Sequence, residues 1–142
     1  MQKSISEKFV KQSVVKWLFR NGWGRNLEIG ELRDHGVDIR VRHNKYPRYF
    51  LIETKGEGSK KSRSQRSQLE TRFVYGLGQI ITRMNVRARY YFGLALSESS
   101  ASIAIRRLPW QVAKKLLLYV FSVDGSGKVR QYSWQELKKR QH

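Results

Sequence analysis

Two carboxylates and a lysine lie at positions where together they could bind a divalent cation. Asp38 stands in a stretch of alternating apolar and polar residues, and Glu53 and Lys55 end a second such stretch. A spacing of two places Glu53 and Lys55 on the same face of a strand. If the two strands pair, Asp38 can meet Glu53, and two carboxylates with a backbone carbonyl are ligands that Mg²⁺ or Mn²⁺ prefers. A metal held in this way can activate water and neutralise charge beside a lysine, which suits phosphodiester hydrolysis.

The same residues could instead form a plain salt bridge across two strands. A Glu-x-Lys pair is expected by chance in a lysine-rich chain, and Glu136 and Lys138 form a second one, which we interpret as a solvated helix face. The first pair differs because it ends the apolar run Tyr49–Ile52 and is followed by Gly56. Placing charged side chains at the end of a buried apolar strand costs free energy. This cost favours a functional role for Glu53 and Lys55.

Periodicity predicts the strands that would position this group. Val37–Arg42 and Tyr49–Lys55 each alternate with a period of two, and the intervening turn contains Pro47. We therefore predict an antiparallel hairpin. Further strands are predicted at Asn26–Leu32, Arg89–Leu96, Leu116–Val123 and Val129–Tyr132.

Apolar residues spaced three and four apart predict helices between the strands. These helices are Ser4–Arg20, Arg66–Met84, Ala101–Lys115 with an interruption at Pro109, and Ser133–Arg140. Ser4 and Glu7 fit a capping box. Gly76 and Gly78 each cost about 1 kcal/mol relative to alanine in a helix, so we expect this helix to pack closely on a flat surface, most simply the sheet. Interleaved strands and helices indicate one α/β or α+β domain with a mixed central sheet flanked by helices.

Charge and composition limit the classes of partner and chemistry. The 142 residues include 29 Lys+Arg and 11 Asp+Glu, a formal net charge of +18, and no cysteine. This charge favours nucleic acid over an anionic membrane, since no helix has a clear membrane-facing side. The lack of cysteine excludes disulfides, thiolate metal sites and a thiol nucleophile. No apolar stretch suits a signal peptide or a bilayer span, so we expect a soluble cytoplasmic protein.

The order of these motifs resembles the PD-(D/E)xK nuclease superfamily, whose restriction-endonuclease-like fold is shared by archaeal Holliday junction resolvases. The resemblance extends over nearly the whole chain. The matching motifs are Gly36-Val37-Asp38-Ile39, Ile52-Glu53-Thr54-Lys55-Gly56 and, on a helix, Tyr75-Gly76-Leu77-Gly78-Gln79-Ile80. The residue before Asp38 is valine, where the family motif has proline.

The resemblance implies a DNA endonuclease that depends on Mg²⁺ or Mn²⁺. Asp38 and Glu53 would bind the metal, the Thr54 carbonyl would add a ligand and Lys55 would serve catalysis. Glu7 matches a glutamate that many members place beside the metal, although the capping box would explain Glu7 equally well. Gln79 matches a glutamine near the active site, the alternative being an ordinary polar helix face.

Basic residues around the proposed site predict contacts to DNA phosphates, although a run of charge can also be a solvated surface. These residues are Arg40, Arg42, Lys60, Lys61, Arg63, Arg66, Arg72 and Arg83. The segment Gly56–Gln65 is predicted to be a mobile loop. His35 and His43 flank the strand of Asp38, and we assign neither to the site. Tryptophans and tyrosines could stack on bases, but most suit a core better, and we assign none of them to DNA.

Two hypotheses of different classes follow. The first is an endonuclease, either specific for branched DNA such as a Holliday junction or similar to restriction enzymes. Cutting both strands requires two active sites, so we expect a symmetric homodimer. The alternative is a non-catalytic basic nucleic-acid-binding protein, which explains the charge but not the arrangement of Asp38, Glu53 and Lys55.

Overall fold

The computed structural model describes residues 4–25, 38–57, 65–84 and 89–141. The helices in these ranges are α1 (Glu7–Arg20), α2 (Gln65–Thr82), α3 (Glu98–Arg107), α4 (Trp110–Leu116) and α5 (Trp134–Arg140). The strands are β1 (Ile39–Arg42), β2 (Tyr49–Lys55), β3 (Tyr90–Ser97), β4 (Leu118–Val123) and β5 (Val129–Tyr132). The protein is an α/β protein in which these helices pack against a five-stranded mixed sheet.

The strands lie in the sheet in the order in which they occur in the chain. β1 and β2 form the predicted antiparallel hairpin, with Ile39 opposite Ile52 and Arg42 opposite Tyr49. β2, β3 and β4 are parallel, and β5 returns antiparallel to β4. Parallel neighbours need a crossover connection. Helix α2 provides it between β2 and β3, and α3 with α4 between β3 and β4.

Helices cover both faces of the sheet, so each face has its own apolar core. Phe50 and Ile52 of β2 belong to the core under α1, whereas Leu51 belongs to the core under α2 and α3. Because side chains alternate along a strand, Glu53 and Lys55 share the face of Leu51. β2 therefore directs the side chains of Glu53 and Lys55 towards α2.

Several predicted boundaries are wrong for local reasons. Helix α1 begins at Glu7, because the hydroxyl of Ser6 rather than Ser4 accepts the hydrogen bond from the backbone N–H of Phe9, at 3.1 Å. The predicted capping box of Ser4 and Glu7 is therefore wrong. Helix α3 begins before the predicted Ala101, at Glu98. The predicted strand Asn26–Leu32 lies outside the described residues.

The segment around Pro109 follows the prediction more closely. Pro109 separates α3 from α4, as expected for a residue that interrupts a helix. Leu117 then adopts a left-handed conformation with φ of 53°, which ends α4. For this reason β4 begins at Leu118 rather than at the predicted Leu116.

The two glycines of α2 have different surroundings. A Cβ on Gly76 would lie 2.7 Å from Cδ1 of Leu94 and 3.2 Å from Cγ of Lys55, so close packing on the sheet is confirmed there. A Cβ on Gly78 would meet no heavy atom within 4 Å, so Gly78 takes no part in this packing. Two residues correspond to about 200° of rotation around the helix, which places Gly78 on the outer side.

Candidate active site

Asp38 and Glu53 come together where β1 begins and β2 approaches its end. Ile39 pairs with Ile52, so Asp38 and Glu53 are the next residues along the antiparallel pair. The Oδ2 atom of Asp38 accepts hydrogen bonds from the backbone N–H of Thr54 at 2.9 Å and from its hydroxyl at 3.0 Å. The Asp38 and Glu53 side chains are also hydrogen-bonded to each other. The two acids therefore form one connected pair.

The carboxyl of Glu53 is buried, with 3% of the residue exposed. Burial, the hydrogen bond with Asp38 and the negative charge of Asp38 together raise the pKa of Glu53 from 4.5 to about 8, although Arg83 and Lys55 oppose the rise. Burial also acts to raise the pKa of Asp38, but hydrogen bonds from Glu53 and Thr54 outweigh it and hold that pKa below its usual value. At neutral pH the pair therefore retains one proton and carries one negative charge.

Arg83 lies inside the site rather than on a free surface. Its Nη1 atom lies 3.3 Å from Oε1 of Glu53, and it follows the last residue of α2. Arg83 was predicted to contact DNA, and the structure places it against the buried acid. An ion pair in such a position is sensitive to the loss of either partner, because the remaining charge would be buried alone.

Lys55 links the acids to the start of α1. Its side chain is 14% exposed, and its Nζ atom lies 4.0 Å from Oε1 of Glu7. The same Nζ lies 5.5 Å from the ring centroid of Tyr75. Because Ser6 is the N-cap, the capping box does not account for Glu7, and its contact with Lys55 is the interaction that the structure shows. An acid in the first turn also stabilises the helix through the helix dipole.

Gly56 allows this approach of β2 to α1. A Cβ on Gly56 would lie 2.2 Å from the backbone nitrogen of Glu7 and 2.8 Å from the carbonyl oxygen of Ile5. Any larger residue would push the end of β2 away from the first turn of α1. The glycine that follows Lys55 in the sequence thus brings Glu7 within reach of the lysine.

Gln79 occupies the turn of α2 between Gly76, which packs on Lys55, and Arg83, which pairs with Glu53. Its Oε1 atom is buried and has no hydrogen-bond partner among the described residues. An unsatisfied buried acceptor costs about 1–3 kcal/mol, so such an atom calls for an explanation beyond folding. Gln79 therefore has an acceptor available for a ligand, and its role in the site stays a prediction.

The donor set is compatible with a hard divalent cation. Among the described residues, no three His, Cys, Asp or Glu side chains cluster as a metal site on their own. Mg²⁺ is commonly held by one or two carboxylates, with water and substrate phosphate as the other ligands. Asp38 and Glu53 meet that requirement, and the carbonyl of Thr54 remains the predicted third ligand. Burial is the largest cause of the raised pKa of Glu53, and the neighbouring charge of Asp38 adds to it. A bound cation would favour the ionised form of both acids.

The other predicted DNA-binding residues fall into separate groups. Arg40 and Arg42 are exposed on β1 and, by alternation, lie on the same face as Asp38. Arg66 forms an exposed ion pair with Glu70 at 3.4 Å, and Arg72 is half-buried on α2. Lys60, Lys61 and Arg63, with most of the predicted loop Gly56–Gln65, lie outside the described residues.

The histidines do not contribute to the described site. His35 lies outside the described residues. His43 follows β1 at the end away from Asp38, and its Nδ1 atom accepts a hydrogen bond from the backbone N–H of Lys45 at 3.0 Å. His43 therefore lies apart from Asp38 and Glu53.

Lys11 and the pairing of Arg83 with Glu53 are site features that the sequence analysis missed. The positive charge of Lys11 helps to lower the pKa of Asp38. Lys11 follows Glu7 by four residues, so helical spacing could have placed both on one face of α1. No comparable signal existed for Arg83, which is 30 residues from Glu53 and reaches it only through the packing of α2.

No family model, curated protein or solved structure matches the chain. Within the described residues, no helix is both long and apolar enough to cross a membrane.

Proposed function

We propose that this protein is a DNA endonuclease that uses Mg²⁺ or Mn²⁺ and has a restriction-endonuclease-like core. The observation that carries the proposal is the pair of acids at the start of β1 and near the end of β2, in which Asp38 is hydrogen-bonded to Thr54 and Glu53 is buried, with Lys55 on the same face of β2. The antiparallel hairpin that holds the acids, and the helix that crosses over to a parallel strand, agree with the family that the sequence resembles.

Each residue of the site has a distinct part in the proposed reaction. Asp38 and Glu53 hold the metal, with the Thr54 carbonyl as a further ligand, and the bound metal supplies an activated water and positive charge. Lys55 directs its ammonium group to the developing charge on the phosphate. Glu7 orients Lys55 from the other side, at the 4.0 Å separation of the two side chains.

DNA is the proposed partner because of the charge and its placement. The chain carries a formal net charge of +18. Arg40 and Arg42 extend from the exposed side of β1 on the same face as Asp38. Phosphate contacts of this kind hold DNA without reading its sequence, which suits a duplex or a branched substrate such as a Holliday junction.

A homodimer would supply the second active site for a second strand. Val74, Gly78 and Ile81 are exposed on α2 at spacings of four and three, and none carries charge. Two strongly basic chains repel each other least where they are uncharged, so this face is the proposed contact. Ile81→Lys should reduce the dimer fraction in sedimentation experiments, while Val112→Lys, at an exposed position of α4, should not.

The alternative function is a non-catalytic nucleic-acid-binding protein. The observation that favours it is the ion pair of Arg83 with Glu53, at 3.3 Å. In such a protein Arg83 would be the positive partner of the acid pair, and no metal would be needed.

DNA cleavage with matched variants separates the two functions. Wild type, Glu53→Gln and Glu70→Gln would be incubated with supercoiled plasmid, linear duplex and a four-way junction, each with Mg²⁺, Mn²⁺ or EDTA. Glu70 is an acid on α2 that forms only exposed ion pairs, so its substitution controls for loss of charge. If the protein is an endonuclease, cleavage should require the metal. Glu53→Gln should abolish it, and Glu70→Gln should not. DNA binding by all three proteins, with no cleavage of any substrate, would support the non-catalytic alternative.

A further inference from the structure

An aromatic hollow of about 620 Å³ lies on the α1 face of the sheet, near the amino-terminal ends of the parallel strands. Its floor is formed by Phe50, Tyr91, Tyr119 and Gln131, from four neighbouring strands. Glu53 lies further along β2 and on the other face. The hollow is therefore separate from the candidate active site.

Aromatic rings form the wall of the hollow as well as its floor. The ring of Trp23 lies 5.2 Å from Phe50 and 4.9 Å from His43, and His43 lies 5.1 Å from Tyr46. Tyr46 is 55% exposed, so a ligand could reach its ring from solvent. Aromatic side chains displayed on a sheet are surfaces on which unpaired bases stack.

The hollow also has polar groups without hydrogen-bond partners among the described residues. The amide of Gln131 and the hydroxyl of Tyr119 are half-buried and form no hydrogen bond to the described residues. The edges of nucleobases present both donors and acceptors. A base resting on the aromatic floor could therefore satisfy the amide and the hydroxyl together.

The charge around the hollow suits a nucleotide rather than a cation. Arg48 lines it, donates a hydrogen bond to the hydroxyl of Tyr91 and lies with its guanidinium 5.9 Å from the centroid of that ring. No acidic residue is among the described residues that line the hollow. A phosphate attached to a bound base would meet positive charge and no carboxylate.

We infer that this hollow binds an unpaired nucleobase, which stacks on its aromatic rings while Gln131 binds its edge and Arg48 its phosphate. The inference rests on the proposed nucleic-acid partner but not on cleavage. A base held in a duplex cannot enter, so the protein would favour DNA that contains unpaired nucleotides.

Intrinsic tryptophan fluorescence tests the inference, because Trp17 and Trp23 line the hollow while Trp110 and Trp134 stack on each other elsewhere. The probes, added in EDTA, are a short oligothymidylate, an abasic oligonucleotide of the same length, a blunt duplex and thymidine monophosphate. The oligothymidylate should quench the fluorescence and bind more tightly than the abasic strand, which has the same phosphates but no bases. Quenching by the monophosphate as well would identify free nucleotides as a second source of the base.

Two substitutions at accessible positions give the expected magnitudes. Tyr46→Ala should weaken oligothymidylate binding about 5- to 150-fold, the range for loss of one stacking partner. Gln131→Leu should weaken it about 2- to 10-fold, as expected for one hydrogen bond. Phe19→Ala, an exposed aromatic of α1 outside the hollow, and Gln111→Leu, an exposed amide of α4, should bind as wild type does.

The inference is overturned if the abasic strand or the duplex binds as tightly as the oligothymidylate. It is also overturned if Tyr46→Ala and Gln131→Leu, shown by circular dichroism to be folded, bind oligothymidylate like wild type. Since the assay contains no metal, these results are independent of cleavage. Base-dependent binding without any nuclease activity would refute the proposed cleavage and would still support the hollow as a nucleobase site.

Discussion

The buried pair of acids predicts an unusual dependence of folding stability on pH. Glu53 has a pKa of about 8 in the folded protein, compared with an ordinary value of 4.5. Between these values the unfolded chain has released a proton that the folded protein keeps, so the free energy of unfolding falls as pH rises. The stabilisation is complete below pH 4.5 and is lost as pH passes through about 8.

The magnitude follows from the same two values. At about 1.36 kcal/mol for each tenfold change in proton affinity, a rise from 4.5 to about 8 corresponds to a loss of about 5 kcal/mol by pH 9. Glu53→Gln keeps the shape and the hydrogen-bonding capacity of the side chain but cannot ionise. The variant should therefore lack this loss, and without metal it should be more stable than wild type at pH 9.

Urea denaturation followed by tryptophan fluorescence, in EDTA from pH 5 to 9, measures the difference directly. Adding Mg²⁺ at pH 9 should restore stability to the wild type, because a cation that binds only the folded state stabilises it by mass action. The addition of Mg²⁺ should not change the stability of Glu53→Gln. Parallel pH profiles for the wild type and Glu53→Gln would refute the reasoning, whereas Glu70→Gln should follow the wild type throughout.

Four further substitutions test the packing, the catalysis and the DNA contacts. Gly76→Ala should lower the urea midpoint, because its Cβ would lie 2.7 Å from Leu94, while Gly78→Ala should raise the free energy of unfolding by about 0.5–1 kcal/mol. Lys55→Met should reduce cleavage at least about 100-fold, with DNA affinity measured by fluorescence anisotropy nearly unchanged. Arg40→Ala should reduce the dependence of log K on log salt concentration by about one.

Matched controls sharpen each of these measurements. The two glycine variants control for each other, since they make the same chemical change on opposite sides of α2. For catalysis, Lys115→Met removes an exposed lysine of α4 and should cleave like the wild type. For DNA binding, Lys139→Ala on α5 should leave the salt dependence unchanged, and an equal effect of both substitutions would contradict a specific contact through Arg40.

Local patterns in the sequence predicted the elements that carry the acids. The alternation of Tyr49–Lys55 predicted β2 at its observed bounds. The short separation between this stretch and the alternating stretch Val37–Arg42 predicted that β1 and β2 form a hairpin. Only the antiparallel register was then needed to bring Asp38 to Glu53. The core of the site could be predicted because its two acids stand on consecutive strands.

Features that depend on packing between distant elements could not be predicted in the same way. The orientation of α2 on the sheet decides that Gly76 is buried and Gly78 exposed, although the sequence presents them as equivalent. The same orientation brings Arg83 to Glu53. The aromatic hollow has a similar origin, since only the register of β2 to β5 brings Tyr91, Tyr119 and Gln131 to one side.

The energetic balance at the site also supports an enzyme over a structural ion pair. Arg83 needs one carboxylate as its partner, and Glu53 provides it at 3.3 Å. Burial raises the pKa of Glu53 most, and the hydrogen bond and negative charge of Asp38 raise it further, so the doubly ionised pair is destabilised in the folded protein. A structural role does not account for this cost, because a neutral residue in place of Asp38 would leave the ion pair stronger. A divalent cation does account for it, since two adjacent carboxylates that repel each other in its absence are the ligands that it binds.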